Sequence, residues 1–438
     1  MHWQLMLLVI LGSLILLMAT GLPIAFCFML INVVGVFFLW GGESGLIQLV
    51  RSIRDSVTSF TLLPVPLFIL MGEVMFQSGI STRMMDALDK WLGRMPGRLS
   101  FLAVGGGTLF ATLSGSSMAS VAMLGATLVP EMEKRGYKKA MTLGPILGSS
   151  GLAIMIPPSS LGVIAAAIGE FSVGKILIAI VVPGLMMAVL YAAYIITRSR
   201  LQPHLAPIYD MPPTPIRERL IATVRYILPL GFIIFLVLGL IFLGVATPSE
   251  SAALGTLGTF ILAAAYGGFT WEKMKKAVLG TIQITAMVLM IMTGALAFSQ
   301  VMSFTGASQG LIKALVNLPV APIMVVILMQ VVILLMGMFM DVVAIMMITL
   351  PIFMPIVTAL GYSPIWFGAI FLLNIEMATT SPPFGLGLFV MKGVAPPDTT
   401  MGDIYLAAIP FLLCDLVVMI LMLAFPAVVL WLPGLMMK

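Results

Sequence analysis

Residues 116–164 and 341–389 align with each other at a constant offset of 225 without a gap, and each stretch carries a Pro-Pro pair inside apolar sequence. They share Ala119/Ala344, Pro130/Pro355, Gly136/Gly361, Tyr137/Tyr362, Ala153/Ala378, Pro157/Pro382, Pro158/Pro383, Leu161/Leu386 and Gly162/Gly387. Most of these residues bend, break or cap a helix, so what is duplicated is a set of helix interruptions. Interrupted helices in apolar surroundings leave backbone groups unpaired, which is tolerated only where protein, water or a ligand satisfies them.

The surroundings are a bilayer. With 61% hydrophobic and 9% charged residues over 438 positions, the chain is too apolar to be a water-soluble globule. A bilayer core about 30 Å thick requires helical runs of roughly 17–25 apolar residues, and about ten are present. The short alternating segments of a membrane barrel are absent. The N-terminus lacks a basic n-region and a small-residue cleavage site, and reads as a retained first span. The net charge of +5 comes from loops beside spans rather than from a nucleic-acid-binding surface. Cys27 and Cys414 lie within apolar spans, where neither a disulfide framework nor a cysteine metal site is expected.

In the first half the spans are expected at 3–20, 23–40, 60–80, 140–169 (interrupted at Pro157-Pro158) and 176–197. Residues 100–130 form two arms of about 14 residues joined at Ser114-Gly115-Ser116-Ser117; each reaches roughly 21 Å, too short to cross, so a re-entrant hairpin fits. The second half repeats the scheme with spans at 226–244, 247–267, 282–303, 365–394 (interrupted at Pro382-Pro383) and 404–431, and a hairpin at 324–357 broken at Gly337–Asp341. Five crossings per repeat turn the second copy upside down, the inverted-repeat plan of secondary transporters. The expected organisation is a first repeat at 1–197, a cytoplasmic linker at 198–225 and a second repeat at 226–438. Loop charges agree: with both termini outside, seventeen Lys and Arg fall on the inner side and five on the outer, as the positive-inside rule requires. Segments 81–95 and 271–279 have amphipathic spacing and are expected along the inner interface.

Four breaks converge near the midplane under this scheme. Half-helix starts favour an anion, and free carbonyls at half-helix ends favour Na+. The first repeat surrounds its breaks with Ser114, Ser116, Ser117 and Ser120, then Gly148, Ser149, Ser150 and Gly151, hard oxygen donors for a small cation. At matching places the second has Asp341, Asn374 and Glu376, followed by Thr379, Thr380 and Ser381. Two related but unequal cation sites follow. Small residues that only let helices approach, with serines bonded back to their own helix, would account for part of the pattern. Asp341 and Glu376 are ionisable at membrane depth and mark function, although an N-cap aspartate would look the same as Asp341. Glu73 and Asp415 read as interhelical polar contacts, and Thr247-Pro248-Ser249-Glu250 as a capping box. The only histidines, His2 and His204, lie outside the spans, which argues against an intramembrane hydrolase or a histidine metal site. Gly105-Gly106-Gly107 lacks a Walker lysine, which argues against ATP-driven transport by this chain alone.

The blocks LSGSSMASVAMLG, LGPILGSSGLAIMIPPSS, GMFMDVVAIMMITLPIFMPI and EMATTSPPFGLGLFVMKGVAPP, in this order, closely resemble the large membrane subunit of the tripartite ATP-independent periplasmic (TRAP) transporters. The resemblance implies an all-α elevator-type secondary transporter of the bacterial inner membrane, surrounded by membrane lipid and driven by a Na+ gradient without an organic cofactor. It implies a separate small four-helix membrane subunit, a periplasmic substrate-binding protein and a small carboxylate substrate. Hairpins and broken helices would form the moving domain and the remaining spans the scaffold. Carried onto this chain, one Na+ site would join Ser114, Ser116 and Ser117 to Gly148, Ser149 and Ser150. A second would join Gly337 and Asp341 to Glu376, Thr379 and Thr380. Substrate would touch Ser116, Ser149, Asn374, Thr380 and the turns at Pro157 and Pro382. The alternatives are a stand-alone Na+- or H+-coupled anion carrier of the same superfamily, and a passive ion pore.

Overall fold

A computed structural model of the chain describes residues 3–93, 95–114, 117–208 and 214–436, and among them every regular element is helical. The first half comprises α1 (Trp3–Ala19), α2 (Ile24–Leu39), α3 (Glu43–Val57), α4 (Pro64–Ser78), α5 (Ile80–Leu92), α6 (Arg98–Ser114), α7 (Ser117–Lys134), α8 (Lys139–Met155), α9 (Ser160–Ile168), α10 (Val173–Ala179) and α11 (Val181–Leu201). In the second half α12 (Ile216–Ala222) runs through a π-helical turn, Thr223–Ile227, into α13 (Leu228–Phe242). Then come α14 (Pro248–Ala265), α15 (Trp271–Phe304), α16 (Ala307–Val316), α17 (Pro322–Gly337), α18 (Val342–Ala359), α19 (Pro364–Thr380), α20 (Leu386–Val394), α21 (Met401–Ala424) and α22 (Ala427–Gly434). Helix bounds recur at the offset of 225: α7 maps onto α18 and α8 onto α19 residue for residue.

Among the described residues six stretches are long and apolar enough to cross a bilayer: Phe60–Ser78, Val173–Leu201, Ile216–Phe242, Trp271–Phe304, Val342–Ala359 and Met401–Ala424. The pair α8 and α9, bent by 49° at Pro157-Pro158, makes a seventh if taken as one broken span. Helices α1, α2, α17 and α19 are apolar but shorter. Nine of the ten expected spans coincide with one of these helices or with a helix pair, with several boundaries shifted; the tenth, 247–267, coincides with α14, which is not among them. The arms of the first hairpin are 17 and 18 residues rather than about 14, because Arg98 and Lys134 extend them into the polar boundary. The second arm of the other hairpin, α18, is itself of spanning length; the turn at Met338–Asp341 is what makes it an arm.

The interfacial segment expected at 271–279 is the beginning of the 34-residue α15. Its counterpart in the first half is split into α3 and α4 at Thr58–Leu63, ahead of Pro64 and Pro66, and no Pro or Gly between Thr281 and Met292 splits α15 in the same way. The linker is also shorter than 198–225, since α11 runs on to Leu201 and α12 begins at Ile216. The segment at 81–95 does form a helix, α5, and the capping box at Thr247 and Glu250 is present.

Two clusters of helices pack most extensively, and they meet where α4 packs on α6. Helices α2, α4, α13, α14 and α15 pack on one another, while α6, α7, α8, α19 and α20 form a second cluster. Helices α11 and α21, expected with the scaffold, belong to the second group: they pack on each other and on α8, and α21 also packs on α19. The reason lies in small residues of the broken helix. A Cβ on Gly144 or Gly148 would fall 2.7 or 2.4 Å from the ring of Phe411, so only glycine lets α21 approach α8 this closely.

Candidate functional site

The two broken helices cross at residues that are equivalent in the repeat. Gly151 of α8 and Glu376 of α19 differ by the offset of 225, and a Cβ on Gly151 would lie 2.8 Å from Glu376 Cγ. Contact between equivalent residues is what a pseudo-two-fold axis passing between them produces. One copy is reduced to hydrogen there and the other carries a carboxylate in the space.

That carboxylate is 1% exposed and held by hydroxyls from both halves. Ser117 at the start of α7 donates to Oε2 at 3.0 Å; Ser150 of α8 and Thr379, one turn along α19, face Oε1, each at 3.5 Å. No basic side chain pairs with Glu376 among the described residues. Ser120, one turn beyond Ser117, is fully buried with no hydrogen-bond partner for its Oγ among the described residues. A buried carboxylate surrounded by hydroxyl oxygens and no cationic side chain is a donor set for a hard monovalent cation. The described residues hold no cluster of His, Cys, Asp and Glu for a transition metal.

This grouping changes the expected assignment. Glu376 and Thr379 were expected with Gly337 and Asp341; Glu376 instead reaches the first hairpin and the first broken helix, because its side chain crosses the axis into the space above Gly151. Asp341 caps α18, its Oδ2 accepting from Val343 N at 3.0 Å. It is exposed and lines a cavity of ≈ 580 Å³ with Met18, Leu22, Met287, Met290 and Phe339. Gly337 closes α17 directly on α19, where an added Cβ would lie 2.1 Å from Ala378 Cβ. Ser114 ends α6; its side chain and the whole of Ser116 lie outside the described residues.

Ser149, Ser150 and Thr380 are buried and donate within their own helices. Ser149 Oγ donates to Ile146 O at 2.9 Å, Ser150 Oγ to Leu147 O at 2.6 Å, and Thr380 Oγ1 to Met377 O at 3.3 Å. Gly148 sits beneath Phe411. Asn374, 1% exposed, donates to Gln330 O at 2.6 Å and to Gln330 Oε1 at 2.8 Å, tying α19 to the outer hairpin arm. Pro157-Pro158 and Pro382-Pro383 are cis, and Ser159 caps the half-helix that follows the first pair through Gly162 N.

Asp415 makes the interhelical polar contact expected of it, with a partner that no sequence signal names, and an ion-pair cluster at Lys139 escaped sequence reasoning. Asp415 of α21, 4% exposed, accepts a hydrogen bond from the fully buried Tyr191 of α11. One turn before Asp415, Phe411 meets Tyr191 and Tyr194 edge-on, with centroids 5.1 and 5.3 Å apart. This pair therefore backs the glycine face of α8 whose other side carries Ser150. Lys139, at the start of α8, bridges Asp398 at 2.9 Å and Asp403 at 3.2 Å. No spacing in the sequence links these partners, which are more than 200 residues apart.

Comparison with known proteins identifies the family. The chain is 34% identical to the C4-dicarboxylate TRAP transporter large permease protein DctM of Pseudomonas aeruginosa over 407 residues, covering 90% of this chain and 93% of that protein. It is 31% identical to the DctM protein of Rhodobacter capsulatus, covering 98% and 99%, and 27% identical to the ectoine permease TeaC of Halomonas elongata, covering 97% and 98%. Among solved structures the fold resembles the YdaH transporter of Alcanivorax borkumensis, with a TM-score of 0.62 at 18% identity over 88% of this chain and 90% of that one. It also resembles MtrF of Neisseria gonorrhoeae, with a TM-score of 0.64 at 17% identity over 87% and 84%. Residues 11–428 match the model of the tripartite ATP-independent periplasmic transporter, DctM component, and the chain belongs to that family.

Proposed function

We propose that this chain is the large permease of a bacterial inner-membrane system that takes up a small carboxylate with Na+. A periplasmic binding protein delivers the substrate and a separate small membrane subunit completes the complex. The observation that carries the reading is the Glu376 cage: Ser117, Ser150 and Thr379 around a buried carboxylate that no cationic side chain pairs with among the described residues. Na+ bound there neutralises Glu376 and leaves the half-helix starts free to meet an anion, which couples cargo to cation. Asp341, Gly337 and the Thr380 end of α19 form the second, more exposed cation position, and Ser116, Ser149, Asn374 and the turns at Pro157 and Pro382 border the substrate. Asn374 borders it through its helix, since its amide is engaged by Gln330. The cluster of α6, α7, α8, α11, α19, α20 and α21 moves as one body against α2, α4, α13, α14 and α15, an elevator. Both termini face the periplasm, following the loop charges.

The test is uptake of labelled C4-dicarboxylate and other small carboxylates into proteoliposomes holding this chain, with the small subunit and binding protein present or withheld. The reading expects uptake only with both partners and an inward Na+ gradient. Full uptake without the binding protein would establish the stand-alone carrier instead, and uptake indifferent to Na+ would remove the coupling.

A further inference from the structure

Where α4 ends, α13 begins and α14 ends, a row of cations and rings lies at the boundary that carries the basic loops. Arg83 of α5 donates from Nη1 to Tyr266 O at 2.8 Å, with its guanidinium 6.0 Å from the Tyr266 ring. The Tyr266 ring is 5.5 Å from that of Tyr226, and the Arg225 guanidinium lies 5.6 Å from the Tyr226 ring. Tyr266 also donates its hydroxyl to Arg225 O, and Trp91 Nε1 donates to Thr223 Oγ1 at 2.7 Å, which fixes α5 against the π-helical turn. Both guanidiniums are exposed and neither pairs with a carboxylate among the described residues. The nearby Asp89 is already held by Arg98, at 2.9 and 2.6 Å.

The geometry points to a binding site for an anionic phospholipid headgroup, with Arg83 and Arg225 on the phosphate and Tyr226, Tyr266 and Trp91 at the glycerol and upper acyl level. Charge complementarity selects the occupant. Exposed guanidiniums that pair with no carboxylate among the described residues suit the phosphate of a headgroup, which a guanidinium meets with forked donors. Their place at helix ends beside the exposed apolar Val224, Leu228 and Ile221 suits a molecule with tails rather than a soluble anion. Basic pockets between span ends recognise anionic headgroups by this chemistry, and aromatic residues sit at the same level.

Native mass spectrometry of the purified protein with dioctanoyl phosphatidylglycerol tests this, with dioctanoyl phosphatidylcholine and inorganic phosphate as comparators. Wild type is expected to retain phosphatidylglycerol over phosphatidylcholine, and Arg83→Gln with Arg225→Gln is expected to lose about thirtyfold in retention. Lys134→Gln with Arg200→Gln, equally exposed basic residues elsewhere on that face, is expected to lose none, and Arg83→Lys with Arg225→Lys is expected to fall between. Equal retention of the two lipids, equal loss in both glutamine pairs, or displacement by inorganic phosphate would overturn the assignment.

Discussion

Gly151→Ala separates the account of the site from helix propensity by sign. Alanine is favoured over glycine in a helix interior by about 1 kcal/mol, so if the space beside Gly151 were open the variant would be more stable than wild type. It is not open: the new Cβ falls 2.8 Å from Glu376 Cγ and 3.3 Å from Oε1, whereas unstrained carbon contacts are about 3.5–4.0 Å. Glu376 must retreat by roughly 1 Å. Ser150 Oγ and Thr379 Oγ1, which donate to Leu147 O and Glu376 O, already stand 3.5 Å from Oε1, and a retreat takes them out of reach. Overpacking costs about 1–3 kcal/mol, so a net fall in stability of up to about 2 kcal/mol is expected once propensity is subtracted. Loosening hydrogen bonds to the carboxylate costs the bound cation about 1.5–3 kcal/mol, a ten- to 150-fold rise in the Na+ needed for half-maximal uptake. Gly105→Ala, with no atom within 4 Å of the added carbon, is the control and should raise thermal stability. Thermal unfolding and Na+-dependent uptake of both variants are the assays. A Gly151→Ala protein more stable than wild type with unchanged Na+ dependence would refute the reasoning.

Tyr191→Phe should raise the Na+ requirement about tenfold by loosening the support of Phe411 on α8, a loss of about 1 kcal/mol or more. Asp415→Asn, which keeps an acceptor for Tyr191, should retain near-wild-type behaviour while Asp415→Leu should not, as uptake titrations with Na+ would show. Asn374→Leu leaves two acceptors of Gln330 without a buried donor and should destabilise the protein by about 1–3 kcal/mol, read from thermal unfolding. Hydrogen bonding to Lys139 holds the Asp398 carboxyl below the usual range. Its contribution is therefore present above the unfolded-state value and is lost as pH falls through the folded one. Asp398→Asn should lower thermal stability at neutral pH, with the difference fading below the usual aspartate range.

The duplicated breaks were legible because proline and glycine impose local geometry wherever they occur: the turns at Pro157 and Pro382, the arms on either side of Ser114–Ser117, and the cap at Asp341 are short-range features. The partition of hydroxyls and carboxylate was not legible. Ser117 and Glu376 are 259 residues apart, and the expectation that each repeat completes its own site kept them separate. The sign of their contact was nevertheless present in the offset. Gly151 and Glu376 are equivalent positions of opposite size, which is what two copies meeting at an axis require. That α11 and α21 pack on the broken helices was not legible, because their apolar sequences say nothing about which neighbour they cover; Gly144, Gly148 and Phe411 bring α21 onto α8, and only as a set. The fusion of 271–279 into α15 turned on the absence of a breaker, a weaker signal than the presence of one.

Equilibrium binding of radiolabelled Na+ to the purified wild-type protein, Glu376→Gln, and Ser117→Ala with Ser150→Ala addresses the shared site most directly. Saturable binding by wild type, lost in Glu376→Gln and weakened at least tenfold in the double serine variant, is the predicted result. Wild-type Na+ affinity in all three proteins would contradict a cation site assembled from both repeats.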